Sequence, residues 1–466
     1  MTGKIRNREE LLSVGNVESR RIVLEVTERV LQKLDSCERI RAFMRLEGDI
    51  LQVGARSWDL SKKKNIYMFG AGKACNHMAR AVSEILGERL TKGVIIVKIP
   101  ESEDRYVNTE VFVGGHPLPN AEGMRGCLRM LELADASGPD DLFLVLISGG
   151  STALMGCPVE GVTLEDEQAA RDVMLKSGMR VMDINTVAGH CARVNRGRLG
   201  QRIESRGGEI ISLNIWDAVG WPDIDDYNEP VEMRGTPVGP DKSTFADIRQ
   251  IIEENGLAGR LPENIYHYLI NGTPEQETPK SIQNATYFML NVLQDSCRCA
   301  EEAAGELGVP CVTLTTSIEG ESKDAGMLLA TIAHEMQKTG RPFKPPMLIF
   351  SAGETTTAIP DGFVATGHGG PSQELTAGFA VVARDVPGAC MLSIDSEGSD
   401  GTTVMAGGLT DSTTWGRALA AGINLKEALR LHAAYEALAP LHDCVFTGNT
   451  GTNLCDFNVL YVPEKG

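Results

Sequence analysis

Two short glycine-containing segments have the composition of an anion-binding turn. Gly70-Ala-Gly-Lys73-Ala follows an apolar run that is typical of a β-strand, and Ser148-Gly-Gly-Ser-Thr152 follows a second such run. Glycine lets the backbone approach a ligand closely, and N–H groups at the start of a helix attract anions. Lys73 adds a mobile positive charge. The residues predicted to bind a phosphate or a nucleotide are Gly70, Gly72, Gly149, Gly150 and Ser151, together with Lys73.

Neither segment matches a standard nucleotide motif. The Walker A pattern, GxxxxGK[ST], is absent from both. The dinucleotide fingerprint needs a third glycine, and Cys75 occupies that position. The next apolar run is followed by Lys98 instead of an acidic residue that could bind a ribose hydroxyl. These differences count against a nicotinamide cofactor.

A third candidate is Asp217, which comes soon after the apolar run Ile210-Ile-Ser-Leu213. A carboxylate at the end of a strand can hold a divalent cation or accept the proton of a substrate hydroxyl. It can also cap a helix. We take Asp217 as a candidate catalytic and metal-binding residue.

Composition excludes several classes of function. The chain has 466 residues and a net charge of −18, so nucleic-acid phosphates would be repelled. Its eleven cysteines include no CxxC pair, which favours reduced thiols over disulfides or a zinc site. The polar N-terminus and the lack of a long apolar run predict a cytoplasmic protein that does not enter a membrane.

The pattern of apolar residues predicts an α/β protein whose first half is doubly wound. Residues 1–60 have helical spacing, and strands are expected at 66–69, 93–98, 111–113 and 142–147, with helices at 119–135 and 165–180. Polar residues and prolines cluster at 271–280, which predicts domains at 1–280 and 281–466. A long helix is expected over 281–307, followed by strands near 310–315, 346–351 and 389–395.

The order of the motifs along the chain is more specific than any one of them. After the first glycine segment come further motifs: Gly114-Gly-His-Pro-Leu-Pro-Asn-Ala-Glu-Gly123, Glu160-Gly-Val-Thr-Leu-Glu-Asp166, Ile184-Asn-Thr-Val187, Gly197-Arg-Leu199, Pro240-Asp-Lys-Ser-Thr-Phe-Ala-Asp247, Glu277-Thr-Pro-Lys280, Gly353-Glu-Thr-Thr356, Gln373-Glu-Leu375, Asp400-Gly401 and Thr450-Gly-Thr-Asn453. This series, from about residue 65 to 460, resembles the glycerate 2-kinase family, some members of which have been labelled hydroxypyruvate reductases.

The resemblance implies an activity and an architecture. It implies a Rossmann-like N-terminal domain and a smaller α/β C-terminal domain, with the active site in the cleft between them. It also implies ATP and a divalent metal, taken as Mg²⁺, and phosphoryl transfer to a hydroxyl of a small hydroxy acid such as D-glycerate. The family's catalytic lysine corresponds to Lys73. A homodimer is plausible for an enzyme of this size.

Further site residues follow from the resemblance alone. His190 and Arg198 fall in a family motif near the substrate, where an imidazole and a guanidinium could orient a carboxylate. Glu354, Gln373 and Glu374 fall in C-terminal motifs and are expected to bind substrate. Asp400 falls in another and is a second candidate metal ligand beside Asp217.

The sequence departs from the family mainly on the acid-recognition side. The family's basic residues are replaced by Ala188, Asn195 and Pro371, its aspartate by Val404, and one of its glycines by Arg196. A site without arginine clamps should not hold the same acid in the same pose. We therefore expect a polyhydroxy acid related to D-glycerate as the substrate.

Two other functions remain open at this point. One is an NAD(P)H-dependent hydroxypyruvate-type reductase. The other is a relative that binds a metabolite or a nucleotide without catalysis, which the missing basic residues would favour and Lys73 argues against.

Overall fold

The computed structural model of the protein describes residues 3–101, 105–220, 223–359 and 367–465. Within them the helices are α1 (Arg8–Leu11), α2 (Val17–Lys33), α3 (Ser36–Phe43), α4 (Cys75–Leu86), α5 (Ala121–Asp135), α6 (Ser151–Leu154), α7 (Leu164–Lys176), α8 (Val181–His190), α9 (Arg198–Glu204), α10 (Phe245–Glu254), α11 (Glu263–Ile270), α12 (Leu293–Glu306), α13 (Ser322–Thr339), α14 (Pro371–Ala383), α15 (Thr414–Ala420), α16 (Leu425–Arg430) and α17 (Ala434–Leu438). The strands are β1 (Met44–Glu47), β2 (Ile50–Val53), β3 (Arg56–Asp59), β4 (Asn65–Ala71), β5 (Lys92–Val97), β6 (Thr109–Val113), β7 (Asp141–Ile147), β8 (Glu209–Ile215), β9 (Ala285–Asn291), β10 (Cys311–Ile318), β11 (Met347–Gly353), β12 (Cys390–Asp395), β13 (Gly407–Asp411), β14 (Cys444–Val445) and β15 (Asp456–Val462).

Contacts between residues divide the chain into two units. The parallel-sheet unit contains Ser36–Ile215 and Ile224–Leu290. The mixed-sheet unit contains Met1–Asp35, Trp216–Asp223 and Asn291–Gly466. This grouping differs from a simple division of the chain at residue 280, because the N-terminal helix α2 packs on α12, β12 and β15.

The parallel-sheet unit has the strand order of a Rossmann fold. Its six-stranded sheet runs β6-β5-β4-β7-β8-β9, and every neighbouring pair from β6 to β8 is parallel. Numbered within the sheet, this order is 3-2-1-4-5-6, which confirms the predicted Rossmann-like α/β class. The chain leaves β4 toward one side of the sheet and later returns to its other side as β7. Ligands of such sheets bind where the strand order reverses, at the carboxyl ends of the strands.

The sequence explains why these elements form. All seven residues of β7, Asp-Leu-Phe-Leu-Val-Leu-Ile, are buried, as expected for a central strand of a parallel sheet. Two family motifs turn out to be helix caps. Thr163 and Asp166 form a capping box at the start of α7, and Thr244 and Asp247 form another at α10.

The mixed-sheet unit is built on a second six-stranded sheet, of order β10-β11-β15-β12-β13-β14. Strands β10 and β11 are parallel, whereas β11, β12 and β13 pair with their other neighbours antiparallel. Helices α13 and α14 cover this sheet with a core that includes Phe379, Leu375 and Met336. In the ranges given above, no helix is both long and apolar enough to cross a membrane.

Two predicted helical stretches are wrong. Residues 44–59 form the antiparallel sheet β1-β2-β3. The helix expected over 281–307 is divided into strand β9 and helix α12, which begins only at Leu293. A short apolar run such as Ala285–Asn291 fits a buried strand and a buried helix equally well, and the neighbouring strand β8 decides between them.

A buried cluster of charges holds the N-terminal helix within the mixed-sheet unit. The Arg20 guanidinium is fully buried and lies 2.5 Å from Asp411 Oδ2 and 2.7 Å from Asp443 Oδ1. It also donates a hydrogen bond to the carbonyl oxygen of Leu11. Burial opposes ionisation of Asp411, but the charge of Arg20 holds the pKa of that carboxyl below its ordinary value.

Arg20→Leu is expected to lower the free energy of unfolding by about 3–5 kcal/mol, because it removes the cation that pairs with buried Asp411 and leaves Asp443 with Arg417 alone. The matched control is Arg21→Leu, which removes an exposed ion pair with Glu18 and should cost less than about 1 kcal/mol. Urea denaturation of both variants measures the difference. Equal losses would contradict a structural role for the buried cluster.

Candidate functional site

The two glycine turns meet at the point where the strand order reverses. β4 and β7 are neighbours, with Ala71 opposite Ile147, so the turns that follow them start side by side. The N–H of Lys73 donates to the carbonyl oxygen of Gly149 at 2.9 Å, and the N–H of Ala74 donates to Ser148 Oγ at 3.0 Å. The two glycine segments therefore contact each other in the structure.

Glycine is required at two of these positions. Gly72 has φ +135°, and a Cβ there would lie 2.1 Å from Ser148 Oγ. Gly150 has φ +81° and starts the short helix α6. Gly70, in contrast, belongs to β4, and a Cβ there would lie 2.6 Å from Cys75 Sγ. Its small size therefore serves the packing of α4 on the strand.

Lys73 and His116 both lie over Gly150. A Cβ on Gly150 would be 3.1 Å from Lys73 Cγ and 3.1 Å from His116 Cδ2. His116 follows β6 within the Gly-Gly-His-Pro segment and was not among the predicted site residues. The signal that could have found it is the position of this segment, which is a third glycine-containing turn after a strand of the same sheet. Lys73 is half-buried, and its side chain passes beside the turn at Cγ.

His190 and Arg198 have partners within the parallel-sheet unit. The His190 ring is fully buried, and Nδ1 lies 3.0 Å from the carbonyl oxygen of Thr186. Burial lowers the pKa of His190, so the neutral ring donates from Nδ1. Arg198 donates to the carbonyl oxygens of Ala192 and Gln276. Arg198 therefore holds the loop that leads into α9, whereas His190 bonds within its own helix α8.

Arg196 occupies a position at which its side chain has two polar partners. Its φ is +55°, a backbone conformation that favours glycine. Nη1 lies 3.0 Å from Asp241 Oδ1 and Nη2 lies 2.6 Å from Thr186 Oγ1. A Cβ on Gly189 would be 2.5 Å from Arg196 Cγ, so the arginine side chain needs a glycine at position 189.

In the mixed-sheet unit, three predicted residues form one buried group at the start of α14. Asp400 accepts hydrogen bonds from the N–H groups of Ser372 and Gln373 and from Gln373 Nε2, at 3.1, 2.9 and 3.0 Å. Glu374 Oε1 lies 2.8 Å from Nδ1 of His432. Both residues of that pair are buried. His432 was not among the predicted site residues. Its backbone lies in the left-handed region, with φ +51°, which only the structure shows.

Asp217 and Glu354 lie elsewhere in the same unit. Asn453 Nδ2 donates to Asp217 Oδ2 at 2.7 Å, and Cys455 Sγ donates to the carbonyl oxygen of Asp217 at 2.5 Å. Glu354 follows β11 and is exposed. The charges of Asp217 and Glu354 add to burial in raising the pKa of the Cys455 thiol. Within the described ranges, no three His, Cys, Asp or Glu side chains are grouped as a metal site.

Comparison with known proteins identifies the family to which the chain belongs. A family model described as a domain of unknown function (DUF4147) matches residues 22–270, and the MOFRL family model matches residues 347–456. The "Glycerate 2-kinase" of Pyrococcus horikoshii is 31% identical over 449 residues, 96% of this chain and 98% of that protein. The chain belongs to the glycerate 2-kinase family. The "D-glycerate 2-kinase" of Thermotoga maritima is 32% identical over 391 residues, 84% of this chain and 89% of the relative.

Solved structures of the glycerate 2-kinase family share this fold. A crystal structure of glycerate kinase from Thermotoga maritima superposes with a TM-score of 0.75 at 29% identity, and covers 95% of this chain and 99% of that one. The family resemblance predicted from the ordered motifs is therefore confirmed. The individual roles of the site residues stay predictions.

Where the sequence departs from the glycerate 2-kinase pattern, the structure shows what the replacements do. Ala188 and Asn195 are buried, and Asn195 Nδ2 lies 3.4 Å from the carbonyl oxygen of Thr152, beside the second glycine turn. Pro371 is the first residue of α14, where the missing N–H costs no helical hydrogen bond. These three replacements leave uncharged side chains at positions where the family has basic residues.

Gly72→Ala is expected to destabilise the protein by about 1–3 kcal/mol through backbone strain alone, with the contact to Ser148 adding to that loss. It should also weaken ATP binding, because the two turns can no longer approach each other. Gly138→Ala is the control, since a Cβ there meets nothing within 4 Å. Thermal unfolding with and without ATP measures both effects. Similar behaviour of the two variants would show that the contact between the turns is dispensable.

Asp400 is expected to make stability depend on pH. Burial raises its pKa to about 7, whereas the unfolded carboxyl titrates near about 4. Its stabilising contribution is therefore complete below the unfolded value and is lost as the pH rises toward 7. The free energy of unfolding from urea titrations at about pH 5 to 8 should fall more steeply for the wild type than for Asp400→Asn. Parallel curves would contradict this assignment.

Proposed function

We propose that this protein transfers the γ-phosphoryl group of ATP to a hydroxyl of glycerate or a closely related polyhydroxy acid. The observation that carries the proposal is the position of Lys73 over Gly150, where the two glycine turns meet at the reversal of the Rossmann sheet. Membership of the glycerate 2-kinase family supports the same reaction class. A kinase with an alcohol acceptor accounts for both.

Phosphoryl transfer requires positioning and charge neutralisation more than covalent chemistry from the protein. In the proposed mechanism Lys73 neutralises negative charge on the transferred group. The N–H groups of Gly149, Gly150 and Ser151 lie in the adjoining turn and bind phosphate oxygens. His116 lies beside Lys73, where its ring can donate a hydrogen bond to the same group.

The roles of the other predicted residues follow from their burial. Arg198 holds the loop before α9, His190 bonds within α8, and both act as positioning residues. Gln373 and Glu374 are buried in the first turn of α14, and they shape the backbone that precedes it together with Asp400. Glu354 is exposed and is a candidate for direct contact with substrate. Asp217 is the candidate base for the hydroxyl proton.

Mg²⁺ is proposed to bind together with the ATP phosphates. This ion keeps several waters and is usually held by one or two carboxylates together with substrate phosphates, so it needs no preformed cage of protein ligands. Asp217 suits that chemistry, since its carboxylate follows a strand and has one amide donor. Asp400 suits it less well, because both of its oxygens already accept hydrogen bonds from α14.

A nicotinamide-dependent reductase is not favoured. In a dinucleotide site an acidic residue after the second strand of the sheet binds the ribose. Here that strand is β5, and Lys98 follows it. The cytoplasmic location and the homodimer stay predictions; sedimentation analysis tests the second.

The residues that replace the family's basic residues favour an acceptor other than plain D-glycerate. The uncharged Ala188, Asn195 and Pro371 stand where the family has basic residues, and a carboxylate loses bidentate partners when arginine is absent. We therefore propose that D-glycerate is turned over with weak saturation and that a related polyhydroxy acid is preferred. Comparing kcat/KM across a panel of such acids tests this, and tight saturation by D-glycerate would refute it.

Lys73→Ala is expected to reduce kcat for ADP release by about 10²–10³-fold, the usual loss when one charge-stabilising group is removed. The control is Lys64→Ala, an exposed lysine before the opposite end of β4. ADP release from ATP and Mg²⁺ is measured with D-glycerate and a panel of polyhydroxy acids. ATP should still raise the melting temperature of both variants. Undiminished turnover by Lys73→Ala would contradict the mechanism, and an absence of turnover by the wild type would favour a binding function.

A further inference from the structure

A cavity of about 380 Å³ lies in the parallel-sheet unit, away in sequence from both glycine turns. Two chain segments line it, residues 231–242 and 280–287. Met233, Ile282 and the ring of Tyr287 are buried and form an apolar wall. Arg234, Lys242 and Lys280 are cations on the same lining. Apolar walls with a few converging polar groups are typical of small-molecule sites.

The charge balance of the lining is positive in an otherwise acidic protein. Two carboxylates, Glu232 and Asp241, accompany the three cations. Asp241 is already compensated, since its Oδ1 lies 3.0 Å from Arg196 Nη1 and its Oδ2 accepts hydrogen bonds from Ser243 and Thr278. The Glu232 side chain is 86% exposed, so solvent screens its pairing with Arg234. The cavity therefore attracts anions although the chain carries a net charge of −18.

Two of the three cations on the lining, Arg234 and Lys242, retain hydrogen-bonding capacity. Nη1 of Arg234 is buried and has no hydrogen-bond partner within the described residues. Lys280 Nζ already donates to the carbonyl oxygen of Ser243 and to Thr278 Oγ1, and it lies 3.4 Å from Glu277 Oε1, so Lys280 contributes mainly its charge. Lys242 is exposed and forms no ion pair with any residue that the structure describes. A buried donor without an acceptor is costly, and a bound anion would relieve that cost.

The walls of the cavity are held by hydrogen bonds before any ligand binds. The N–H of Val231 donates to the carbonyl oxygen of Tyr287 at 2.8 Å, and the hydroxyl of Tyr287 donates to the carbonyl oxygen of Val238 at 2.9 Å. The N–H of Gly235 donates to the carbonyl oxygen of Pro240 at 2.9 Å. A preformed site loses less conformational entropy when it binds.

We propose that this cavity is a second anion-binding site, which takes the carboxylate or phosphate group of a small organic molecule. Arg234, Lys242 and Lys280 bind the anionic group, and the rest of the molecule contacts Met233, Ile282 and Tyr287. The proposal concerns binding at residues outside the glycine turns, and it does not rest on the proposed kinase function.

The test is calorimetric titration of the full chain carrying Lys73→Ala, so that the glycine-turn site is weakened in every sample. The probes are inorganic phosphate, ATP and D-glycerate. Addition of Arg234→Gln and Lys242→Gln should raise the Kd of at least one probe about tenfold or more, since hydrogen bonds to charged groups are lost. The control adds Lys64→Gln and Lys344→Gln, an equal change of charge at two exposed lysines.

The three probes distinguish a phosphate-bearing ligand from a carboxylate ligand. Weaker binding of phosphate and ATP alone identifies a phosphate-bearing ligand, and weaker binding of D-glycerate alone identifies a carboxylate. Lys242→Gln changes only an exposed side chain, so it tests the site even if the double variant unfolds. Equal Kd values in the cavity variants and the control, or no measurable binding of any probe, would overturn the proposal. Loss of kinase activity in Lys73→Ala has no bearing on these outcomes.

Discussion

The site of this protein depends on the close approach of two strand-to-helix turns. Gly72 packs against Ser148 so tightly that a single added carbon atom would lie 2.1 Å from its hydroxyl oxygen. Two backbone N–H groups, those of Lys73 and Ala74, donate across the contact. This packing holds the backbone of Lys73 beside the second turn. The parallel register of β4 with β7 brings the turns to one edge, and the glycine allows them to meet.

Three buried carboxylates, those of Asp411, Asp241 and Asp400, are stabilised in different ways. Asp411 shares the guanidinium of Arg20. Asp241 is compensated by Arg196 and by two hydroxyl groups. Asp400 has no cation among its hydrogen-bond partners and relies on N–H donors at the start of α14, which favour a negative charge there while burial opposes it. Two of these carboxylates lie next to predicted site residues, since Asp241 is 3.9 Å from His190 and Asp400 accepts a hydrogen bond from Gln373.

One departure from the glycerate 2-kinase pattern, Arg196, depends on the residues around it. Arg196 stands in a left-handed backbone conformation, and its side chain runs over Gly189 toward Asp241 and Thr186. The arginine and the glycine opposite it therefore have to occur together. Asp241 also lines the cationic cavity, so the same arginine connects the altered loop with that wall. A change in acid recognition in this protein would thus involve several residues acting as one group.

The local sequence pattern predicted much of the secondary structure, because strands, helices and turns depend on residues that are close in the chain. The apolar runs at 66–69 and 142–147 predicted the strands β4 and β7, and the glycine turns after them predicted an anion-binding site. The order of the motifs identified the family. The strand β9 and the small sheet β1-β2-β3 were missed, since their residues fit a helix equally well until a neighbouring strand pairs with them. Contacts between distant residues, such as His116 with Lys73 at Gly150, His432 with Glu374, and Arg20 with Asp411, were decided only by the tertiary structure, because no short-range periodicity encodes which side chains meet across a fold.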